Sequence, residues 1–237
     1  MTEKFNLLDV RPEHFRSGKF NPGGAILSWL RNEDAFWEYD GEPSADKPHA
    51  ELSGGRCSNG FIDMPSILCF PNIAEILGKE LARRLMELRL DVNCVVSSPY
   101  SALTLGHEVA KELGAVFRHP IKDPADPKQK KMLWRGEPIP AGSKVLQVEE
   151  LITTTSTVWE VQNAIIQGTG YKTLFFVPEV GTLVHRPEKA QTRYNWVVII
   201  PLLEKVMQNF SVDCPYCKVD SKKLRPRDNW AELTRSS

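Results

Sequence analysis

Residues 144–157 constrain the fold of this chain more than any other segment. They run Lys-Val-Leu-Gln-Val-Glu-Glu-Leu-Ile-Thr-Thr-Thr-Ser-Thr, an apolar stretch followed by two acids and then by hydroxyl side chains. The pattern predicts a buried strand that leads into the start of a helix. Ligands of open α/β sheets bind at the carboxyl ends of the strands. Because a helix start offers N–H donors to phosphate, and carboxylates suit Mg²⁺ or a sugar diol, the segment predicts a phosphorylated, hydroxylated ligand.

Apolar strands alternate with amphipathic helices over most of the chain, and this alternation is typical of βαβ units with a parallel sheet. We therefore expect an α/β fold whose parallel-rich central sheet has about five strands and is flanked by helices. Apolar periodicity and turn residues place the helices at 24–37, 71–88, 103–113 and 156–167. The strands are expected at 92–96, 115–118, 145–148, 173–177 and 196–200.

Length and charge limit the class of protein. The 237 residues are enough for one good-sized domain with a smaller appendage. The 30 basic and 30 acidic residues balance, which argues against nucleic-acid and membrane-surface partners. The N-terminus lacks an apolar signal region, and the longest apolar run, residues 196–203, is far shorter than the ~20 residues that cross a bilayer. We expect a soluble, cytoplasmic protein.

Composition also predicts three regions. Residues 1–48 are irregular and rich in proline and glycine, residues 49–212 carry the βαβ pattern, and residues 213–237 form a tail that contains a CxxC pair. Within the main region, three prolines and a basic run predict that residues 120–135 form a polar, mobile loop.

Glu149 and Glu150 are expected at the end of the strand that opens residues 144–157. Neighbouring residues of a strand point to opposite faces, so one carboxylate can face a ligand while the other turns toward a metal, a helix terminus or a basic side chain. The simpler alternative is a pair of solvated acids. The hydroxyls of residues 153–157 can either cap the following helix or bind a phosphate, and Trp159 is placed to pack beneath them.

The motif at 148–157 resembles the phosphoribosyl-pyrophosphate motif of type I phosphoribosyltransferases, and it is most similar to the orotate phosphoribosyltransferase form, Val-Glu-Asp-Val-Ile-Thr-Thr-Gly-Gly-Ser. Further segments resemble the same family in the same order, from about residue 48 to residue 220. They are residues 52–63, 95–115, 132–135 with 142–145, 181–186, and the Cys-Pro-Tyr-Cys sequence at 214–217.

The resemblance implies a type I phosphoribosyltransferase fold with a small N-terminal hood, and a homodimer. It also implies transfer of ribose 5-phosphate from phosphoribosyl pyrophosphate to a nitrogen of orotate, which yields orotidine 5′-phosphate and pyrophosphate in pyrimidine nucleotide biosynthesis. Mg²⁺ is the implied cofactor. It would bridge the pyrophosphate and the ribose diol with few direct protein ligands, so no side chain is assigned to a metal.

The resemblance also assigns roles to residues. Glu149 and Glu150 would hold the ribose hydroxyls, and Thr153 and Arg186 would read the orotate, with Arg186 pairing bidentately with its carboxylate. The residues that would cradle the 5-phosphate are Thr153, Thr154, Thr155, Ser156 and Thr157. Those that would line the pyrophosphate are Ser98, Tyr100, Ser101 and Ala102. The loop 120–135 would close over the site and bring Lys128, Lys130, Lys131 and Arg135 to the pyrophosphate, from the partner subunit of the dimer. The implied catalytic set is Glu149, Glu150, Lys130 and Lys131.

Both phosphate contacts depart from the family pattern. Thr155 and Ser156 stand where the family has two glycines, and Ser101 and Ala102 stand where its pyrophosphate loop is Gly-rich or carries a lysine. Glycine lets backbone N–H groups approach a phosphate and adopts positive φ at little cost. Three functions therefore stay open: orotate transfer, transfer to another base, and nucleotide binding or sensing without catalysis.

The five cysteines are an odd number, and their scatter argues against a disulfide framework. Cys214 and Cys217 supply half of a zinc ligand set. No second CxxC or His pair accompanies them, so the sequence favours a turn with two free thiols, although a second subunit could complete a four-thiolate site. His49, in a predicted loop, is expected to be solvated.

Overall fold

The computed structural model describes residues 4–15, 20–52, 54–127, 131–170 and 173–235. Its α-helices, in chain order, are α1 Pro22–Asn32, α2 Pro65–Leu68, α3 Pro71–Met86, α4 Leu103–Leu113, α5 Ser156–Gly168, α6 Pro215–Lys218 and α7 Trp230–Thr234. The strands up to the acidic pair are β1 Phe36–Glu38, β2 His49–Glu51, β3 Cys57–Ser58, β4 Gly60–Ile62, β5 Cys94–Ser97, β6 Val116–Arg118, β7 Ile121–Lys122, β8 Met132–Leu133 and β9 Lys144–Ile152. The remaining strands are β10 Phe175–His185, β11 Arg193–Tyr194, β12 Val197–Glu204, β13 Asn209–Phe210 and β14 Lys223–Leu224.

The central sheet has the strand order β11-β12-β10-β9-β5-β6. All neighbouring pairs are parallel except β11 with β12, which is antiparallel at the edge. This confirms the expected α/β class with a parallel-rich sheet flanked by helices. Every residue of β5 is buried, as expected for a strand that is covered on both faces.

Alternating residues of the central strands face two helical layers. Val95 and Leu146 belong to the core cluster that contains α3 and α4. Their neighbours Val96 and Val145 belong to a second cluster that contains α5. Because successive side chains of a strand point to opposite faces, the two clusters lie on the two sides of the sheet.

Several predicted elements differ in extent from those observed. The helix expected at 24–37 ends at Asn32, because Asp34 adopts a left-handed φ of 53° and the chain then enters β1. The strand expected at 145–148 extends to Ile152, so Glu149 and Glu150 lie inside the strand rather than after it. Pairing with β10 supports this extension, and only the fold reveals it.

The region expected to be a mobile loop, 120–135, contains the antiparallel hairpin of β7 and β8. Met132 is buried and packs with α5 residues in one cluster, and Trp134 lies against the same cluster. These apolar side chains hold one end of the hairpin to the helix, which the proline and lysine content of the segment concealed. Lys128 and Lys130 lie outside the described residues.

A second, smaller sheet has the order β13-β3-β2-β14. Its strands come from residues 49–58 and from residues 209–224. Leu7, Ile26 and Leu30 of the N-terminal segment instead pack in the main core. The division of the chain after residues 48 and 212 stays a prediction. In the described ranges, no helix combines the length and the apolar character that crossing a membrane requires.

Candidate active site

Two predicted groups of residues meet at the carboxyl edge of the sheet. Ser98 Oγ donates a hydrogen bond to Glu149 Oε2 at 2.5 Å, and Ser101 Oγ donates one to Glu150 Oε1 at 2.5 Å. The acids lie near the end of β9, while the serines lie in the loop that follows β5, and these strands are parallel neighbours. The residues expected to hold ribose and those expected to line pyrophosphate are therefore within direct contact.

Glu149 is held by a buried chain of amides. Glu149 is 2% exposed. Gln147 Nε2 donates a hydrogen bond to Glu149 Oε1 at 2.6 Å. Gln162 Nε2, on α5, donates in turn to Gln147 Oε1 at 3.3 Å. Each oxygen of Glu149 thus has a donor, and the carboxyl orientation is determined by side chains from the loop after β5, from β9 and from α5.

Burial dominates the electrostatics of the acidic pair. Burial and the adjacent Glu150 charge raise the pKa of Glu149 well above its usual range, against the opposing hydrogen bonds from Ser98 and Gln147. Burial also raises the pKa of Glu150, which the Ser101 hydrogen bond and the nearby Lys122 charge counteract. Hydroxyl donors or a cation brought by a ligand would favour the charged forms of both acids.

The loop after β5 offers backbone donors at the start of α4. Ala102 is buried and occupies the N-cap position, where it makes no side-chain cap. The first N–H groups of a helix lack intrahelical partners and suit an anion. Tyr100 has a φ of 75° and is 67% exposed, so the loop contains a strained residue beside the acids.

The hydroxyl-rich loop starts α5 without strain. Thr155 is the N-cap, with φ −82° and no side-chain cap, and none of residues 153–157, all of which are described, has a positive φ. Glycine is therefore not required here for backbone geometry. Trp159 Nε1 donates to Thr155 Oγ1 at 3.2 Å, which confirms the expected packing of Trp159 beneath the loop. The Thr154 and Ser156 hydroxyls lie 3.0 Å apart.

Arg186 is adjacent to Thr153 through the sheet, because the Arg186 N–H donates to the Ile152 carbonyl at 2.8 Å. Its guanidinium is buried and turns toward the small sheet. Nη1 donates to the Gly60 carbonyl at 2.9 Å, and Nη2 donates to Asn209 Oδ1 at 3.1 Å. Burial, together with the nearby Arg56 charge, lowers the pKa of Arg186 to about 10.

The Nε atom of Arg186 is buried and has no hydrogen-bond partner in the described part of the chain. In the described ranges, every hydrogen-bond acceptor of the Arg186 guanidinium is neutral, including Ser58 Oγ at 3.4 Å. A buried cation with neutral acceptors and one spare donor suits a ligand carboxylate. Such a ligand would have to replace contacts that Arg186 now makes with the small sheet.

Lys131 and Arg135, which the resemblance assigns to the pyrophosphate, lie away from contact with the acids. Lys131 and Arg135 are exposed, and the Lys131 N–H donates to Asp126 Oδ2 at 2.8 Å. Among the described residues, neither Lys131 nor Arg135 pairs with Glu149 or Glu150. Lys122 of β7 is the hairpin cation whose charge reaches Glu150.

Several residues at the site were not predicted from the sequence. They are Arg56, Ser58, Lys122, Gln147, Gln162 and Asn209. The usable signals were a glutamine inside an otherwise apolar strand for Gln147 and the family resemblance of residues 52–63 for Arg56 and Ser58. Lys122, Gln162 and Asn209 are recognisable only by their contacts.

Comparisons with known proteins identify relatives of the chain. No family model matches the chain. The chain is 30% identical over 188 residues to an orotate phosphoribosyltransferase of Wolinella succinogenes, and this alignment covers 75% of this chain and 88% of the relative. It is also 30% identical over 182 residues to an orotate phosphoribosyltransferase of Caldanaerobacter subterraneus subsp. tengcongensis, with coverage of 76% and 89%. The crystal structure of orotate phosphoribosyltransferase from Aeropyrum pernix shares the fold, with a TM-score of 0.51 at 18% identity over 76% of this chain and 93% of that one.

Proposed function

The chain belongs to the orotate phosphoribosyltransferase family, and from this membership we propose that it transfers ribose 5-phosphate from phosphoribosyl pyrophosphate to orotate. The products are orotidine 5′-phosphate and pyrophosphate. One observation of the site carries the proposal: Glu149 and Glu150 meet Ser98 and Ser101 at a single edge of the sheet. Acids for a sugar diol thereby lie beside a loop that suits pyrophosphate.

The acidic pair would bind the ribose and stabilise the reacting carbon. Departure of pyrophosphate leaves positive charge on the ribose ring in an oxocarbenium-like transition state. Carboxylates that accept hydrogen bonds from the ribose hydroxyls lie close to that charge, in a largely buried setting where fixed charges act strongly. Ser98 and the Gln147–Gln162 pair orient Glu149 before the ligand arrives.

The start of α5 would bind the 5-phosphate. The Thr155 side chain does not cap the helix, so it leaves the backbone N–H groups at the helix start available to a phosphate. The Thr154 and Ser156 hydroxyls lie 3.0 Å apart in the same loop. Hydroxyl donors thus accompany the backbone donors. The loop after β5, from Ser98 to Ala102, would bind pyrophosphate in the same way at the start of α4.

The donor set fits a Mg²⁺ that is carried mainly by the substrate. Mg²⁺ prefers oxygen ligands and often keeps water and phosphate in its shell, with one or two carboxylates. Glu149 and Glu150 are not part of any group of three or more potential metal ligands in the described ranges. When bound, Mg²⁺ would neutralise the pyrophosphate charge, while the two acids hold the ribose.

Thr153 and Arg186 would form the base end of the site, the part that binds orotate. Arg186 would pair with the orotate carboxylate through its buried Nε–H, which has no other partner in the described part of the chain. Arg56 is a second cation near Arg186, and it is paired with Glu188 at 3.3 Å. We include in the proposal a cytoplasmic homodimer, in which the exposed Lys131 and Arg135 serve the partner's site.

The activity is tested by mixing the protein with orotate, phosphoribosyl pyrophosphate and Mg²⁺ and following the loss of orotate absorbance. The double variant Glu149→Gln with Glu150→Gln, prepared identically, should be inactive and thereby controls for contaminating enzyme. Parallel reactions with adenine, hypoxanthine and uracil test the other bases. Absence of orotate turnover at high enzyme concentration would refute the proposal, and calorimetric binding of the donor without turnover would indicate a non-catalytic protein.

Base selection is tested with Arg186→Lys, which keeps the charge but loses the planar guanidinium. We expect at least a tenfold rise in KM for orotate, with binding of phosphoribosyl pyrophosphate unchanged by calorimetry. The exposed Arg193→Lys is the matched control. An unchanged orotate KM for Arg186→Lys would exclude Arg186 from base recognition, and Arg56→Lys would then be the next variant to measure.

A further inference from the structure

Four potential metal ligands from distant parts of the chain converge at the small sheet. His49 lies on β2, Cys57 lies on β3, and Cys214 and Cys217 flank the first turn of α6. One ligand atom from each residue lies within 4.8 Å of all the others. His49 is 0% exposed, Cys57 is 4% exposed and Cys214 is 7% exposed. Cys217 is half-buried, so three of the four ligands are shielded from water and the fourth lies at the edge of the cluster.

Three of the six separations match those of a tetrahedral zinc centre, and the rest are no longer than 4.8 Å. Cys57 Sγ and Cys217 Sγ are 3.6 Å apart, while His49 Nε2 lies 3.5 Å from Cys217 Sγ and 3.7 Å from Cys214 Sγ. Zn–S bonds of about 2.3 Å and Zn–N bonds of about 2.0–2.1 Å, arranged tetrahedrally, separate two sulfurs by about 3.8 Å and a sulfur from a nitrogen by about 3.6 Å. No ligand atom has to move far to surround one ion.

The histidine is oriented as a metal ligand. Ser221 Oγ donates to the Lys47 carbonyl at 2.6 Å, so its lone pairs are available to accept from His49 Nδ1 at 2.8 Å. This places the proton on Nδ1 and leaves the lone pair of Nε2 directed at the cysteines. Metal-bound histidines commonly donate their other N–H to such a partner, which fixes the tautomer and the ring orientation.

We propose that His49, Cys57, Cys214 and Cys217 bind one Zn²⁺ in a structural Cys₃His site. Three thiolates and an imidazole favour zinc over hard cations, and four protein ligands leave no open position for a substrate. The sequence favoured two free thiols because Cys57 and His49 are remote along the chain from Cys214 and Cys217. The fold supplies the missing half of the ligand set from within the same chain.

The zinc would stabilise the small sheet and, because Arg186 contacts that sheet, the part of the active site that binds the base. Cys57 is followed in β3 by Ser58, which contacts Arg186, and Ser58 pairs in the sheet with Asn209, the second partner of Arg186. The ion itself touches neither substrate nor reacting atoms. Its ligands are positioning residues that join residues 49–58 to the C-terminal segment.

Metal content is the first test, on full-length protein purified from zinc-supplemented medium without chelators. We expect one Zn²⁺ per chain by elemental mass spectrometry and by intact native mass spectrometry. Cys217→Ser should reduce this to a small fraction. Cys69→Ser, which removes an exposed cysteine, and Cys94→Ser, which removes a buried cysteine that lies outside the cluster, should retain one Zn²⁺ per chain.

Cobalt substitution is the second test and needs no variant that could fail to fold. Wild-type protein reconstituted with Co²⁺ should show the intense visible bands of a tetrahedral ion and thiolate charge-transfer absorption, which titrate to one ion per chain. A zinc-specific chelator should lower the Tm by about 10 °C or more, because folding and binding are linked at structural zinc sites. The Cys69→Ser protein should respond like wild type.

Three results would overturn the proposal. One is wild-type protein that neither contains zinc nor binds added Co²⁺. Another is a disulfide between two of the three clustered cysteines, seen by mass mapping in protein purified under reducing conditions. The third is a Cys217→Ser protein that keeps a full equivalent of zinc. Metal content and cobalt spectra are independent of turnover, so these outcomes are distinct from failure of the orotate transfer assay.

Discussion

At the scale of the residue, Glu149 is a buried acid whose ionised form lowers the stability of the free protein but would serve ligand binding. It is buried beside a second acid, yet it accepts hydrogen bonds from Ser98 and Gln147 that hold its orientation. Burial raises its pKa, which means that the ionised carboxyl is disfavoured in the free protein. A ligand that brings hydroxyl donors and a cation stabilises the ionised carboxyl, so ligand binding offsets the free-energy cost of ionising Glu149.

The first prediction concerns Glu149→Gln. An acid whose folded pKa is raised stabilises the fold fully below its ordinary pKa of 4.5, and this contribution is lost as the pH rises through the folded value. We therefore expect the variant to be more stable than wild type at pH 8, by on the order of 2 kcal/mol, and this advantage to vanish near pH 4. Orotate turnover should fall by about a hundredfold or more.

Urea unfolding at both pH values measures the stability, and the absorbance assay measures the turnover. The exposed Glu160→Gln, on α5, is the matched control and should show neither change. A variant that is less stable than wild type at pH 8 would show that Glu149 is ionised and well paired in the free protein.

At the scale of the element, the start of α5 explains how the loop tolerates the loss of the family's two glycines. Thr155 has φ −82°, a conformation that any residue adopts. Its hydroxyl accepts the hydrogen bond from Trp159, and Trp159 packs edge-on against Trp196, with ring centroids 5.4 Å apart. The threonine thus belongs to a supported turn, so glycine there would add flexibility rather than remove strain.

The second prediction concerns Thr155→Gly combined with Ser156→Gly. Glycine raises the entropy of the unfolded chain, and the hydrogen bond from Trp159 is lost, so stability should fall by about 1–2 kcal/mol. We expect kcat/KM for phosphoribosyl pyrophosphate to stay equal or decrease, as measured by initial rates at saturating orotate. Thr155→Val, which replaces the acceptor hydroxyl with a methyl group and keeps the Trp159 ring, isolates the hydrogen-bond contribution. A large gain in rate for the double variant would show that the natural loop impairs phosphate binding.

At the scale of the whole molecule, the two ends of the βαβ region are joined by the small sheet. β14 pairs with β2 in parallel, and β13 pairs with β3. Tyr216 and Leu224 of the C-terminal segment share a buried cluster with Trp37 and Ala50. These contacts make the C-terminal segment part of the support of the base end of the site.

The third prediction is that removal of residues 213–237 destabilises the protein. The truncation exposes Trp37 and Ala50 and leaves β2 without β14, so we expect a Tm lower by about 10 °C or more and rapid proteolysis within residues 49–62. Differential scanning calorimetry and limited proteolysis with mass mapping provide the measurements. Removal of residues 236–237 alone is the control and should change neither. A stable truncated protein would instead support the division of the chain after residue 212 into an independent tail.

The fourth prediction tests the proposed homodimer with shared sites. Light scattering during size-exclusion chromatography should give a mass of two chains. Lys131→Ala with Arg135→Ala should be inactive, as should Glu149→Gln with Glu150→Gln. Mixing the two after partial unfolding should restore up to about a quarter of wild-type activity, because a mixed dimer contains one intact site. A single-chain mass, or no recovery on mixing, would contradict shared sites.

Local patterns in the sequence were sufficient for much of the fold. The spacing of apolar residues predicted α4, and Gly114 ends it at a φ of 63°. The apolar strands and the intervening helices predicted the parallel sheet, and the run at 144–157 predicted the strand, the acids and the helix start in the correct order. Each of these depends on interactions between residues that are close together along the chain.

The remainder depended on contacts between distant residues. The extension of β9 to Ile152 depends on β10. The pairing of β7 with β8 depends on packing against α5, and the approach of Lys122 to Glu150 depends on both of these arrangements. The sequence by itself determined the α/β class, the family resemblance and the acidic pair, because periodicity and motifs are properties of neighbouring residues. Only the tertiary structure decided which serines hold the acids, where Arg186 turns, and that His49 and Cys57 join Cys214 and Cys217, because packing alone brings such distant side chains together.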